Sequence, residues 1–304
     1  MIFDIEINDL VKTYHEVTAV DHLHLQVQRG EMLGLIGPDG AGKTSTLRIL
    51  CGLLKADAGE CLVGGYSVTK QIYQIRALVG YMPQRFSLYP DLTVAENLRF
   101  FADLFRVPKA ERETRLERLL QFSKLGPFSN RRAQALSGGM KQKLALSCTL
   151  IHTPQILLLD EPTTGVDPVS RREFWAILKD LRDQGVTILV TTPYMDEAAR
   201  CDRVAFIHKG KILALDTPEK IPDLFSGILY EITCDDFVRA ANLLKEERDI
   251  ASVQIFGDRV HVSGGDDCKI RIAIDNAMGR SGVASFEKNK IRASIEDVFV
   301  DLMR

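Results

Sequence analysis

No stretch of this 304-residue chain approaches the ~20 consecutive apolar residues needed to cross a bilayer, so any membrane role has to come through a partner. A secretory signal is missing as well, because Asp4 and Glu6 stand where a basic start and a long apolar run should be. The expectation is a cytoplasmic protein, peripheral on the cytoplasmic face of the inner or plasma membrane. Charge of one sign is also lacking: 39 Lys and Arg against 41 Asp and Glu give a formal net charge of −2. With no basic run, nucleic-acid binding is not expected. The six cysteines (Cys51, Cys61, Cys148, Cys201, Cys234 and Cys268) are scattered, with no pair at metal-like or redox-like spacing. They read as reduced residues, mostly core filler.

What the chain does have begins with Gly37-Pro38-Asp39-Gly40-Ala41-Gly42-Lys43-Thr44-Ser45. An apolar run, Met32 to Ile36, precedes it and predicts a buried strand. Ser45 to Leu53 follows and predicts a helix with Leu47, Leu50, Leu53 and Leu54 on one face. Strand, glycine-rich loop and helix in that order form the P-loop pattern, G-x-x-x-x-G-K-[ST]. Glycines let successive backbone N–H groups turn inward around a phosphate, and the helix start adds its positive dipole end. Lys43 would reach the β- and γ-phosphates, and the Thr44 hydroxyl would hold Mg2+.

Around that loop the chain alternates strands and helices. Residues 2–7 and 22–27 alternate apolar and polar side chains, as half-exposed strands do, with His22 and His24 on the polar face. Tyr14, between them, is either a partly buried aromatic or a platform for a flat base. Short strands are expected at 59–63 and 78–82, with Gln84 directly after. Thr93 and Glu96 offer a capping box for a helix over 94–105, and a second helix follows over 109–122 with a Glu111–Arg115 pair. Leu136-Ser137-Gly138-Gly139-Met140 opens a helix over 139–151, an ordinary N-cap or a second anion site.

Ile156 to Leu159 is a run of unbroken aliphatics ending in Asp160-Glu161, two acids where open α/β sheets bind ligands. Asp160 suits a magnesium shell, and Glu161 could polarise an attacking water. Asp167-Pro168 caps a helix over 168–183. Val186 to Val190 is a second aliphatic strand; after it, Thr192 reads as an N-cap and Pro193 as the first helical residue. A hairpin turns at Lys209-Gly210. Residues 228–304 then read as a β-α-β-β-α-β appendage: strands at 229–233, 251–256, 259–263 and 283–287, helices at 235–247 and 267–280. A short helix over 297–303 closes the chain.

With the P-loop, Gln84, Leu136–Met140 and Asp160-Glu161 in this order, residues 1 to about 220 resemble the nucleotide-binding subunit of an ABC transporter. The resemblance implies an α/β, P-loop NTPase fold over 1–220, with a helical subdomain at about 85–152, and a small α+β accessory domain at 228–304. It implies ATP and Mg2+ as ligands. Tyr14 would stack on adenine; Gln84 would touch Mg2+ and the attacking water and sense the membrane subunit. Asp160 would be the magnesium aspartate and Glu161 the catalytic glutamate. Ser137, Gly138 and Gly139 would contact the γ-phosphate of ATP held by a second ATP-binding subunit, and Asp167 would lie in the loop crossing that dimer interface.

One departure stands out. The family usually carries a switch histidine after the second aliphatic strand, and here Pro193 occupies that place. Proline has neither a side-chain donor nor a backbone N–H. Losing one transition-state hydrogen bond costs ~10²–10³ in rate, so binding is expected to survive and hydrolysis to slow. Asp39, where asparagine is commoner, is a milder variant. The wording around Leu136, Asp160 and Tyr194, and the tail Ala293 to Phe299, are closest to ATPases that power exporters with six-helix permease halves. Three readings follow: an exporter ATPase working as a dimer on a membrane permease, a regulatory ATP-binding subunit that hydrolyses poorly beside an active partner, and a soluble ABC ATPase acting on DNA or ribosomes. The last usually needs two cassettes or basic insertions, which this chain lacks.

Overall fold

Two long strands, β1 (Phe3–Tyr14) and β2 (Val17–Gln28), open the computed structural model, which describes residues 2–85, 88–281 and 285–303. Both outrun the sequence expectation, and the reason is local. The β1–β2 ladder shifts register between Ile7 and Leu10, and Asp9 (φ 54°) and His22 (φ 50°) sit in the left-handed region. Such bulges break the period of two, so strict alternation ends at Ile7 while hydrogen bonding continues to Tyr14.

The chain then forms β3 (Met32–Ile36), α1 (Lys43–Leu50), β4 (Ala58–Val63), β5 (Tyr66–Ser67), α2 (Ile72–Leu78) and β6 (Val79–Met82). Three helices follow: α3 (Val94–Leu104), α4 (Lys109–Phe122) and α5 (Gly138–Leu150). Next come β7 (Ile156–Asp160), α6 (Pro168–Asp183), β8 (Thr187–Thr192), β9 (Arg203–His208) and β10 (Lys211–Asp216). Contacts divide the chain into two compact units, Met1–Pro218 and Glu219–Arg304.

In the first unit, a four-stranded sheet of order β2-β1-β4-β5 packs on a six-stranded sheet of order β10-β9-β3-β8-β7-β6. Between them lies a core that joins Ile5, Ile7, Leu23 and Leu25 to Leu33, Leu35, Leu47 and Leu158. Strands β3, β7 and β8 are buried at every residue, as parallel strands covered on both faces must be. Their pairing aligns their ends: Ile36 lies beside Thr192, and Asp160 beside Thr191. The loops that leave these ends therefore emerge together.

Helix α1 starts and stops two to three residues earlier than periodicity predicts. Gly42 caps its start, and Gly52 (φ 64°) turns the chain out of the helix, leaving Leu53 59% exposed. In α3, Thr93 and Glu96 make the reciprocal capping box. The expectation at Thr192 needs correction. Thr192 is the last residue of β8, and the next helix is a 3-10 segment, Met195–Arg200, capped at Tyr194. The Thr192 hydroxyl accepts from the Tyr194 amide two residues on (3.0 Å), a turn rather than a helix cap.

The second unit contains β11 (Ile228–Cys234), α7 (Phe237–Leu244), β12 (Ser252–Phe256), β13 (Arg259–Gly264), α8 (Asp267–Ser281), β14 (Phe286–Ile291) and α9 (Ile295–Leu302). Its antiparallel sheet has the order β12-β13-β11-β14, the split β-α-β-β-α-β arrangement. Tyr230, Ile232, Val260 and Val262 pack against Ala241 and Leu244 of α7 and Ile270 and Ile274 of α8. β14 begins later than the predicted strand at 283–287, whose first two residues lie outside the described residues. Helix α9 starts earlier than predicted because Ser294 caps it and Asp297 closes the box.

Candidate functional site

Gly42 explains why the loop after β3 has the shape it has. Its φ of 107° is left-handed, and a Cβ there would stand 2.2 Å from the Ala19 carbonyl oxygen of β2. Only glycine lets the loop pass β2 so closely and then start α1. The loop backbone from Asp39 to Ser45, with Ala19, Gln84 and Glu161, surrounds a cavity of about 400 Å3.

At its floor lies Lys43, 3% exposed. Its Nζ donates to the carbonyls of Gly37 (2.7 Å) and Pro38 (3.0 Å) and sits 3.0 Å from Glu161 Oε1. The other Glu161 oxygen accepts from Gln84 Nε2 (2.9 Å) and the Thr164 hydroxyl (3.3 Å). Asp160 Oδ1 accepts from the hydroxyls of Thr44 (3.0 Å) and Thr191 (2.9 Å). The second Asp160 oxygen, Oδ2, is buried with no hydrogen-bond partner. Burial, chiefly, holds the Asp160 carboxyl above its ordinary pKa of 3.8. An orphaned carboxylate oxygen beside a threonine hydroxyl is a donor set that suits a hard divalent cation. Lys43, Thr44, Gln84, Asp160 and Glu161 thus converge from three separate stretches of sequence.

Tyr14 is brought to the rim. Its hydroxyl is 3.4 Å from Ser45 Oγ, its ring is 41% exposed, and Lys12 Nζ lies 5.4 Å from the ring centroid. Sequence reasoning missed how this end of β1 is fixed. Asp57 accepts from Lys12 Nζ (2.9 Å) and the Thr13 amide (2.7 Å), and the Lys12 hydrogen bond holds its carboxyl below the usual range.

Ser137, Gly138 and Gly139 do not line the cavity. Ser137 caps α5, accepting from the Met140 amide (3.3 Å). Gly139 faces the start of α6, where an added Cβ would stand 2.4 Å from Ser170 Cβ and Oγ. Asp167 caps α6, accepting from the amides of Val169 (3.1 Å) and Ser170 (2.9 Å), and the Ser170 hydrogen bond leads in lowering its pKa. These residues form a second group, with Val169 57% exposed beside them.

Pro193 follows the end of β8 and is not among the cavity-lining residues. Its neighbour Thr192 receives the Gly37 amide on its carbonyl (3.3 Å), so the start of the loop docks on this strand end. Tyr194 stacks under the Arg171 guanidinium at 4.2 Å. His22 pairs with Asp9 (2.6 Å) on the exposed face, as a solvated strand residue does. Among the described residues no cluster of three or more His, Cys, Asp or Glu could hold a metal, and no helix is long and apolar enough to cross a membrane.

Comparison with known proteins points the same way as this geometry. Residues 20–164 match the family model described as ABC transporter. The chain is 39% identical over 303 residues to the probable multidrug ABC transporter ATP-binding protein YbhF of Escherichia coli, covering 98% of this chain and 52% of that protein. It therefore spans about half the length of that relative. It is 34% identical over 304 residues to Nod factor export ATP-binding protein I of Cupriavidus metallidurans, covering 98% of this chain and 96% of the relative. Among solved structures, the ATP-binding subunit of an ABC transporter superposes with a TM-score of 0.65 at 30% identity, covering 72% of this chain and 92% of that one. A dimeric ATP-binding cassette in a post-hydrolysis state, bound to ADP and Pi, gives 0.64 at 27% identity, covering 70% and 98%.

Proposed function

The chain belongs to the ATP-binding proteins of ABC transporters, and on that premise we propose that it binds ATP with Mg2+ and hydrolyses it to drive an export permease. The observation that carries this reading is the meeting of Lys43, Thr44, Gln84, Asp160 and Glu161 at the loop cavity. Backbone amides from Gly40 to Thr44 cradle the phosphates, aided by the N-terminus of α1. Lys43 turns from Glu161 to the β- and γ-oxygens. Thr44 Oγ1, Asp160 Oδ2 and Gln84 would hold Mg2+, which neutralises charge on the phosphates when bound. Glu161, released from Lys43 and still tethered by Gln84, orients a water and takes its proton. Tyr14 stacks on the adenine.

Ser137 and Gly139 do not line their own cavity, and in this reading they serve a nucleotide held by a second ATP-binding subunit. Asp167 and the exposed Val169 then lie in the dimer interface. The permease is proposed to dock at the groove of about 350 Å3 beside Gln84, lined by Leu88, Pro90, Gln134 and Lys141. Relatives named for multidrug transport and Nod factor export support export as the direction.

A second reading rests on Pro193. With no donor at the switch position, this subunit would close on ATP, hydrolyse slowly and lend Ser137 and Gly139 to an active partner. Steady-state ATPase of the purified chain, alone and with a candidate permease, tests both. Turnover that falls on Glu161→Gln supports the first. Slow turnover that rises only when a second ATP-binding subunit is added supports the other.

A further inference from the structure

Glu197 is a wholly buried carboxylate that the chemistry above does not use. Three hydrogen-bond donors converge on it, and the Arg171 guanidinium Nε stands 3.7 Å from Oε1. Oε1 accepts from the Thr163 hydroxyl (2.7 Å) and the Trp175 indole Nε1 (2.9 Å), and Oε2 accepts from the Thr192 hydroxyl (2.5 Å). The Thr192 oxygen already accepts from the Tyr194 amide, so its own proton is free to go to Glu197. An ionised carboxylate is the side chain that takes three donors and returns none.

What these donors belong to gives the cluster its meaning. Thr163 stands two residues after Glu161, in the loop leaving β7. Thr192 ends β8, next to Thr191, whose carbonyl and hydroxyl accept the Glu161 amide at 3.2 and 3.0 Å. Trp175 lies in α6, the helix that Asp167 caps. Glu161 itself has a φ of 48°, a left-handed conformation that a non-glycine residue keeps only when its surroundings hold it there. The loop that follows this strained residue and the end of the neighbouring strand that receives its amide are both held, through Thr163 and Thr192, by one buried carboxylate.

We propose that Glu197 is a positioning residue for Glu161, fixing the loop that follows it and the end of β8 that holds its amide so that its carboxylate stays aimed into the loop cavity. The proposal rests on the reading of Glu161 as the group that activates water. It differs from a plain core contact in what it predicts: the alignment of one side chain, rather than the affinity of the cradle, depends on Glu197.

The test is made on the full chain with Glu197→Gln, Thr163→Val and Thr192→Val. Two readouts are taken: kcat and KM for ATP, and amide hydrogen exchange over residues 161–166. Glu197→Gln is expected to lower kcat about tenfold or more while KM stays within about twofold, because positioning acts on the chemical step. Exchange is expected to quicken at the amides of Glu161 and Thr164, which bond to Thr191 and Glu161, and to stay unchanged in α1. The two threonine variants should each reproduce part of the loss, and together less than the product of the two. If Glu197→Gln does not fold, the threonine variants carry the same two readouts. Wild-type exchange at Glu161 and Thr164 in a folded variant, or kcat and affinity falling together, overturns the proposal. A wild-type chain with no Glu161-dependent turnover overturns the functional reading instead, and the exchange result then decides the role of Glu197 by itself.

Discussion

Lys43 Nζ and Glu161 Oε1 stand 3.0 Å apart, with both side chains almost wholly buried. The lysine that should bind phosphate and the acid that should activate water thus neutralise each other. Phosphate has to compete with Glu161 for Lys43. Replacing the acid by its amide removes that competition and the base at once. Glu161→Gln is therefore expected to bind ATP more tightly than wild type while turnover falls by ~10²-fold or more. Equilibrium binding of labelled ATP beside a steady-state assay checks both signs, and weaker binding in the variant would contradict the competition.

Asp160 carries the buried oxygen without a partner. In Asp160→Asn an amide replaces it, and the magnesium concentration for half-maximal turnover should rise about tenfold or more, since a neutral ligand holds a hard cation poorly. Magnesium titration at saturating ATP reads this directly. An unchanged midpoint would remove Asp160 from the cation site.

Tyr14 reaches the cavity rim only through its ring and its hydroxyl near Ser45. Base stacking on an aromatic is worth about 1–3 kcal/mol. Tyr14→Ala should weaken ATP by that amount and leave inorganic tripolyphosphate binding unaltered, whereas Tyr14→Phe should keep most of it. Competition binding with the two ligands distinguishes a base platform from a structural residue.

Pro193 offers no donor at the end of β8. Installing one by Pro193→His should raise turnover by ~10²–10³-fold if that single hydrogen bond is what the site lacks. Equal turnover of variant and wild type would place the limit elsewhere.

In the second unit, His261 Nδ1 and Asp297 Oδ1 are 2.8 Å apart and Glu231 lies 3.6 Å from the other ring nitrogen. Burial opposes charge on both partners. The Asp297 hydrogen bond and the Glu231 charge outweigh it for His261, raising its pKa above the ordinary 6.5. Hydrogen bonds from His261 and Ser294 outweigh it for Asp297, lowering its pKa below 3.8. The stability contributed by a raised histidine is present below its unfolded pKa and is lost as pH rises through the folded value. That of a lowered aspartate is present above its unfolded pKa and is lost as pH falls through the folded value. The pair therefore contributes most between about pH 4 and 6.5. Hydrogen exchange of β13 amides in the full chain should show stronger protection at pH 5.5 than at pH 8.5. His261→Gln should abolish the difference.

Much of the loop site could be read in one dimension because its parts are local. The strand Met32–Ile36, the glycines and Lys43-Thr44 lie within a few residues, and the two acids end an aliphatic run. Periodicity failed where backbone geometry changes without a change in composition. The bulge at Asp9 hid half of β1, and Gly52 ended α1 before its leucines did. Contacts between distant segments left no local trace: Asp57 under Lys12 and Thr13, Thr191 on Asp160, and Glu197 among Thr163, Trp175 and Thr192. A buried glutamate in Tyr194-Met195-Asp196-Glu197-Ala198 looks like any polar residue of a helical turn. Only the fold reveals that three hydroxyl and indole protons meet on it.

The contact of Gly139 with Ser170 constrains movement. No atom beyond hydrogen fits on Gly139 at that crossing, and one turn further along Lys143 pairs with Glu173. The beginnings of α5 and α6 are meshed like two teeth of one gear. With the two helix starts in contact, a shift of the Ser137 edge is expected to carry the Asp167 corner with it. From α6 the contacts continue through Trp175 to Glu197, and from Glu197 to Thr163 and Thr192 beside the strand ends that carry the acids.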